Sequence, residues 1–311
     1  MALLIASGLA DWIPDAELRD EVLSVTPDAD VRVADAPGDT AQVTMLAATA
    51  LPDPLPWHLP NLQLVQKLGA GVETIVHHPA LPPHIRVTRL KPEEPARQIA
   101  EFCLAYVLRE QRNLEAHAEA QRRAAWTPIA PRRASETHIA VLGLGHIGGL
   151  TARLFRDLGY QVSGWASSAH SIDGVHTCAG ADALRALLGQ ADYVAAILPS
   201  TPRTRGLFDA DLLGAMKPGA MLINAGRGDL IDEAALCRAL DQGRPGHAVL
   251  DVVSAEPLPA NSPLWRHPAV TLTPHVSGWH LGDALADVAE NYRRLSAGAP
   301  LLHEVDRTRG Y

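Results

Sequence analysis

The sequence predicts an α/β fold with doubly wound parallel sheets. Two observations lead to it: apolar runs of strand length alternate with amphipathic stretches over most of the 311 residues, and from Thr137 onward that alternation becomes regular. A third is the segment IAVLGLGHIGGL, which sets a glycine-rich turn between an apolar run and a helical pattern. The length is about twice that of a typical domain, so two domains and a sizeable core are expected.

In the N-terminal part the strand candidates are Ala2 to Ile5, Val31 to Ala34, Val43 to Ala47, Leu64 to Lys67 and Ile85 to Thr88, joined by Pro-rich connections such as LPDPLPWHLP. They suffice for one small α/β unit. A charged stretch, RLKPEEPARQ, precedes a long helical pattern that places Ile99, Cys103, Tyr106, Val107 and Leu114 near helical spacing. Pro95 suits its first turn, and Glu93 and Glu94 suit its dipole. This stretch is the expected crossing between domains. Strands HIAVLG, QVSGW, YVAAILP, AMLINA, HAVLDV and AVTLTP then alternate with a helix from Ile147 and with DALRALL, DADLLGAM and EAALCRAL. The amphipathic stretch Asp283 to Ser296 follows once that sheet is complete and is free to return to the first domain. The expected division is 1–95 plus 283–311 for one domain and 96–282 for the other. No internal repeat or low-complexity segment is present.

Composition narrows the function classes. The chain is 47% hydrophobic and 20% charged, with a net charge of -8. That balance argues against a nucleic-acid surface, which needs clustered Lys and Arg. The three cysteines, Cys103, Cys178 and Cys237, lie far apart without a CxxC pair, so neither a disulfide framework nor a zinc site is encoded, and a reducing, cytoplasmic setting fits. The opening MALLIASGLADW has no basic region and reaches Asp11 after a short apolar run, so it reads as a first strand rather than a signal peptide, and no membrane-spanning run follows.

Gly143, Gly145 and Gly148 have the GxGxxG spacing of a dinucleotide-binding turn. The first permits the tight turn, the second lets a pyrophosphate approach the backbone, and the third lets helix and strand pack closely. His146 and Ile147 stand between them, where a helix start offers free N–H groups to phosphate. An NAD site usually places Asp or Glu at the end of the next strand; here that slot is Ala166, followed by Ser167, Ser168 and His170. Nothing there repels a 2′-phosphate and no arginine clamps one, so NADP and NAD both remain open with a lean to NADP.

In such a sheet ligands bind outside the carboxyl ends of the strands. Three segments bring useful residues there: MLINAGRG ends in Arg227, VLDVVSAEPLP brings Asp251 and Glu256, and VTLTPHVSG brings His275. A guanidinium offers a charged planar fork that holds a carboxylate while polarising the adjacent carbonyl, and Gly226 and Gly228 are expected to keep its approach uncluttered. A histidine can pass a proton to a carbonyl oxygen as hydride reaches its carbon. A carboxylate bonded to that imidazole fixes its tautomer and favours the charged form. Singly, such residues also serve as surface ion pairs, loop charges and turn ligands. Together, behind a nucleotide turn, they describe reduction of a 2-oxo acid.

These motifs resemble the D-isomer-specific 2-hydroxyacid dehydrogenase family, nearly end to end. The resemblance is carried by LGAGVET (Leu68 to Thr74), VLGLGHIG, LPSTPRTRGLF (Leu198 to Phe208), MKPGAMLINAGRGDLIDEAAL (Met216 to Leu236), AVLDVVSAEPLP (Ala248 to Pro259), SPLWRHPAVTLTPHVSG (Ser262 to Gly278) and the terminal VDRTRGY. SPLWRHP, the GW strand end and VDRTRGY are most similar to its glyoxylate/hydroxypyruvate reductase A branch. The resemblance implies flavodoxin-like and Rossmann-like domains with an active-site cleft between them, and a homodimer formed through the nucleotide domain. It implies Arg227 as the substrate-binding arginine, His275 as the acid/base and Glu256 as its support. It also implies that the loop at Gly71 and Val72 gives N–H groups to the substrate carboxylate, that Asp251 meets the nicotinamide carboxamide, and that Pro199 and Thr201 line the cofactor ribose and phosphates. The chain departs from the branch after the strand-end Trp165, where basic residues are replaced by Ser167 and by Ala169 with His170, and in MLAATALPD, where an aromatic is replaced by small residues. The family also contains nucleotide-sensing corepressors, which is the alternative reading; a metal-dependent hydrolase using His275, Glu256 and His280 lacks any metal-ligand spacing.

Overall fold

The computed structural model describes residues 1–8, 13–76 and 78–307. Leu9 to Trp12 of the opening motif and the last four residues of VDRTRGY lie outside them. The chain divides into two compact units, Met1–Glu94 with His280–Tyr311, and Pro95–Trp279.

The first unit is a parallel sheet of β1 (Ala2–Ile5), β2 (Val31–Val33), β3 (Val43–Ala48), β4 (Leu64–Lys67) and β5 (Arg86–Thr88), with α1 (Asp15–Val25) and the short α2 (Glu73–Val76). Its order, β2-β1-β3-β4-β5, is flavodoxin-like. Because successive side chains on a strand face opposite ways, Ala2 and Leu4 enter one core while Leu3 and Ile5 enter another on the opposite side. The late helix of the chain, Leu285–Ser296, supplies Leu285, Val288 and Ala289 to the second core and packs on α1. A buried polar strut joins it to the sheet: Asn291 Nδ2 donates to Gln66 Oε1 at 2.8 Å, and Thr88 Oγ1 donates to the same oxygen at 2.7 Å.

The boundary between units falls inside α3 (Glu93–Gln111), which is followed by α4 (Leu114–Arg122). The sequence pattern ran through this junction unbroken. Asn113, with φ of 53°, breaks it, since asparagine tolerates the left-handed region better than most side chains. The second unit continues with β6 (His138–Leu142), α5 (His146–Asp157), β7 (Gln161–Trp165), β8 (His176–Cys178), α6 (Ala181–Leu188), β9 (Tyr193–Ala196), α7 (Ala210–Gly214), β10 (Met221–Asn224), α8 (Glu233–Asp241), β11 (His247–Leu250) and β12 (Val270–Leu272); the late helix of the first unit is α9. All seven strands are parallel, in the order β12-β11-β10-β9-β6-β7-β8.

Both faces of this sheet are covered, as a doubly wound sheet requires. Ala140 and Leu142 enter one core with Phe208, Leu222 and Leu236, while Ile139 and Val141 enter the other with Cys103, Val107 and Phe155. The strand order reverses between β6 and β9. Loops leaving those two strands must diverge, and the crevice they leave is where such sheets bind ligands. Among the described residues no helix is long and apolar enough to cross a membrane.

Candidate active site

At the carboxyl end of β6 the chain turns into α5, and the three fingerprint glycines have three different physical reasons to be there. Gly143 has φ of 96°, and a Cβ on it would lie 2.5 Å from the Ile197 carbonyl oxygen leaving β9. A Cβ on Gly148 would lie 1.7 Å from the Gly143 carbonyl oxygen, so helix and turn can pack only without one. At Gly145, by contrast, nothing stands within 4 Å of the Cβ position. That backbone is open to a ligand, and the first turn of α5 behind it has leading N–H groups without intrahelical partners and a favourable dipole. The residues present fit a dinucleotide pyrophosphate. His146 is exposed and Ile147 half-buried at this edge.

Beside it, β7 ends at Trp165 and Ala166, both buried, followed by exposed Ser167 and Ser168. The Ser168 carbonyl lies 2.9 Å from His170 Nδ1, which closes a small loop. No carboxylate occurs between Ala166 and Ile172, so a ribose phosphate meets no like charge there. Beyond β9, Pro199 is exposed and Thr201 half-buried. Both are held by a residue that sequence reasoning missed: Thr204 Oγ1 donates to the Pro199 carbonyl at 2.6 Å, accepts from the Thr201 N–H at 2.8 Å and lies 2.9 Å from Thr201 Oγ1. The serine and threonine content of LPSTPRTRGLF is its only sequence signal.

Arg227 follows β10 in extended backbone, with φ of -138°, and its Nη1 donates to the Gly226 carbonyl at 2.7 Å. The flanking glycines are not there to clear its approach, as the sequence suggested. A Cβ on Gly226 would lie 2.8 Å from the Leu198 carbonyl oxygen, and one on Gly228 only 1.9 Å from that of Val253. Neighbouring backbones pass too close for any side chain. Asn224, fully buried at the end of β10, staples the turn: its Nδ2 donates to the Arg227 carbonyl at 2.9 Å and its Oδ1 accepts from the Gly226 N–H at 3.1 Å. A polar residue closing an apolar strand was the available clue.

Asp251, 2% exposed at the end of β11, organises the histidine segment. Its Oδ1 accepts from Thr273 Oγ1 at 2.6 Å and the Val276 N–H at 2.9 Å, its Oδ2 from the Ser277 N–H at 3.0 Å, and its carbonyl from the His275 N–H at 2.8 Å. These bonds hold His275 at φ of 56°, a conformation that costs energy in a non-glycine residue. From that position His275 Nδ1 lies 2.8 Å from Glu256 Oε2. Glu256 Oε1 in turn accepts from the Val253 N–H at 3.2 Å. Burial pushes the Glu256 carboxyl up, but the hydrogen bond and charge of His275, the Val253 N–H and the Arg227 charge outweigh it, leaving the group below its ordinary value. With Nδ1 engaged, Nε2 of His275 is the nitrogen left to face a substrate.

The second unit thus brings together the glycine turn, the Pro199–Thr201 segment, Arg227, Asp251, Glu256 and His275. Gly71 and Val72 lie in the first unit, in the loop between β4 and α2, and among the described residues nothing accepts a hydrogen bond from either N–H. No group of three or more His, Cys, Asp or Glu able to hold a metal occurs among the described residues.

Residues 104–277 match the family model described as D-isomer specific 2-hydroxyacid dehydrogenase, NAD binding domain. The chain belongs to this family. Its likeness to known members is nearly end to end. It is 36% identical to a glyoxylate/hydroxypyruvate reductase A of Serratia proteamaculans, covering 98% of this chain and 95% of that protein. It is also similar to a crystal structure of a D-isomer specific 2-hydroxyacid dehydrogenase from Xanthobacter autotrophicus in complex with NADPH and MES, with a TM-score of 0.90, 36% identity and coverage of 100% and 99% of the two chains. An NADPH-dependent glyoxylate/hydroxypyruvate reductase from Sinorhizobium meliloti, in complex with NADP and sulfate, gives a TM-score of 0.85 at 27% identity, with both chains covered fully. Within this dehydrogenase family the fold of the second unit is the nucleotide-binding one, and residues 104–277 contain every second-unit residue of the candidate site.

Proposed function

We propose that the chain reduces small 2-oxo acids, glyoxylate and hydroxypyruvate foremost, to the corresponding 2-hydroxy acids at the expense of NADPH or NADH. The observation that carries this reading is the His275–Glu256 pair, 2.8 Å apart on the unit that also bears the open Gly145 turn. A reduced nicotinamide dinucleotide, its pyrophosphate held at that turn, would supply the hydride. His275, with Nδ1 tied to Glu256, gives the proton from Nε2 to the substrate oxygen as the carbonyl carbon is reduced. Glu256 holds the ring orientation and tautomer. Arg227 takes the substrate carboxylate and polarises its carbonyl; in the first unit, the N–H groups of Gly71 and Val72 are suited to a carboxylate.

For the cofactor, Gly143, Gly145, His146, Ile147 and Gly148 take the pyrophosphate, Ser167 and Ser168 the adenosine ribose, Pro199 and Thr201 the remaining ribose and phosphates. Asp251, whose Oδ2 accepts a single bond from the loop, takes the carboxamide. The uncharged Ala166–Ser168 corner and the NADPH complexes of similar proteins support NADPH as the preferred donor. The three free thiols agree with a cytoplasmic setting, and a homodimer is the expected assembly. The test is to follow the nicotinamide absorbance with NADH and NADPH in parallel across a panel of 2-oxo acids. Oxidation of NADPH that depends on glyoxylate or hydroxypyruvate is expected; none with any 2-oxo acid refutes the reading.

A further inference from the structure

The first unit holds an arginine with no counter-ion among the described residues. Arg89 follows β5 directly, its N–H donating to the His303 carbonyl at 3.2 Å, while the next residue, Leu90, donates to the Gly69 carbonyl at 3.1 Å. The chain is thereby pinned against the loop that follows β4. The guanidinium makes one bond, Nη1 to the Ala70 carbonyl at 3.4 Å, which is longer than an ordinary N–H···O bond. Burial alone pulls Arg89 below the ordinary guanidinium value; no carboxylate among the described residues offsets it.

Other arginines of this unit are treated differently. Arg86 is held by both oxygens of Glu304, each at 2.7 Å. Arg32 is paired with Asp30 and Gln42, and Arg307 is spread over the carbonyls of Val76, Leu81, Pro82 and Ile85. A guanidinium cannot shed its proton to escape the cost of burial, so a half-buried one with idle donors is well placed to take an anion. Two further donors lie in the same loop, since the N–H groups of Gly71 and Val72 also have no acceptor among the described residues. Lys67, at the end of β4, adds positive charge to these strand ends, its Nζ donating to the Thr49 carbonyl.

We infer that Arg89 is an anion-binding residue of the first unit, taking a carboxylate oxygen of the bound small acid beside the Gly71 and Val72 N–H groups. This rests on the proposed function and extends it: the first unit meets the charge of the acid with a guanidinium of its own. Because the fork is permanently charged, the ligand it selects is an ionised carboxylate, and an aldehyde or ester of the same size is excluded.

The test is inhibition of the full chain by oxalate, a two-carbon dianion without a reducible carbonyl, at saturating NADPH with glyoxylate as substrate. Arg89→Met keeps the length of the side chain and removes its charge. The oxalate inhibition constant and the glyoxylate KM are each expected to rise roughly 10- to 100-fold, the worth of a charge-assisted bond. NADPH affinity should stay within about twofold and Tm should hold, because the half-buried guanidinium makes only one long hydrogen bond. Arg89→Lys, with charge but no fork, should lose less. An unchanged oxalate constant in Arg89→Met overturns the inference; if that variant melts early, an unchanged constant in Arg89→Lys does so. Wild-type chain that neither reduces glyoxylate nor binds oxalate refutes the proposed function as well, whereas an active wild type with indifferent Arg89 variants refutes only the role of Arg89.

Discussion

Replacing Glu256 by Gln separates what the His275–Glu256 pair does for chemistry from what it does for folding. The contact is 2.8 Å, with side chains 53% and 40% exposed for histidine and glutamate. At that exposure water screens the pair, and its contribution to stability is at most about 1 kcal/mol. For a domain the size of the second unit, 1 kcal/mol corresponds to roughly 2–4 °C in Tm. The catalytic cost follows different arithmetic. A glutamine carbonyl can still accept from Nδ1, but a charge-assisted hydrogen bond is about twice as strong as a neutral one. The imidazolium that donates the proton therefore loses about 1–2 kcal/mol of support, or roughly 5- to 30-fold in kcat/KM for reduction. Steady-state kinetics at pH 7 beside a thermal melt measure both. The reasoning fails if kcat/KM stays within twofold of wild type, or if Tm drops by 10 °C or more while activity per folded molecule is kept.

Four further outcomes are expected. His275→Asn should lower kcat roughly 10²- to 10⁴-fold with NADPH affinity little changed, measured by turnover and by cofactor fluorescence titration. Arg227→Lys should raise the KM for glyoxylate roughly tenfold, since a point charge cannot reproduce the fork; an unaltered KM removes Arg227 from substrate binding. Gly148→Ala places a Cβ 1.7 Å from the Gly143 carbonyl oxygen, so the turn must open, and NADPH binding by calorimetry should be lost or the unit destabilised by several kcal/mol. The Glu256 carboxyl lies below its ordinary value in the folded chain. A depressed carboxylate gives stability that is present above the unfolded value and lost as pH falls through the folded one, so the Glu256→Gln effects should persist at pH 5 and vanish only at pH values below the ordinary glutamate range.

The sequence was most legible where one residue type has one physical reason. Gly143 and Gly148 are required by contacts under 3 Å with backbone, and a strand, a GxGxxG run and a helix reveal such a turn. The reason for Gly226 and Gly228 was misread, because which backbone passes beside a loop is a property of the packed sheet. Asn224, Thr204 and Asp251 act through hydrogen bonds to residues up to 26 positions away, and pairings of that kind leave no periodicity. The strand β8 was invisible: it has three residues, none buried, and no apolar alternation. Arg89 was passed over for the opposite reason, since a strand-end arginine ordinarily implies an ion pair and only the packed unit reveals that this one has none among the described residues.

The central claim is direct transfer of hydride to a 2-oxo acid from a nicotinamide dinucleotide whose pyrophosphate is held at the Gly145 turn. Wild-type chain incubated with NADPH deuterated at C4 on the transferred face and with glyoxylate should yield glycolate carrying one deuterium at C2, detected by mass spectrometry, and only when both reactants are present. Glycolate without label, or NADPH consumption that leaves glyoxylate unreduced, contradicts the account.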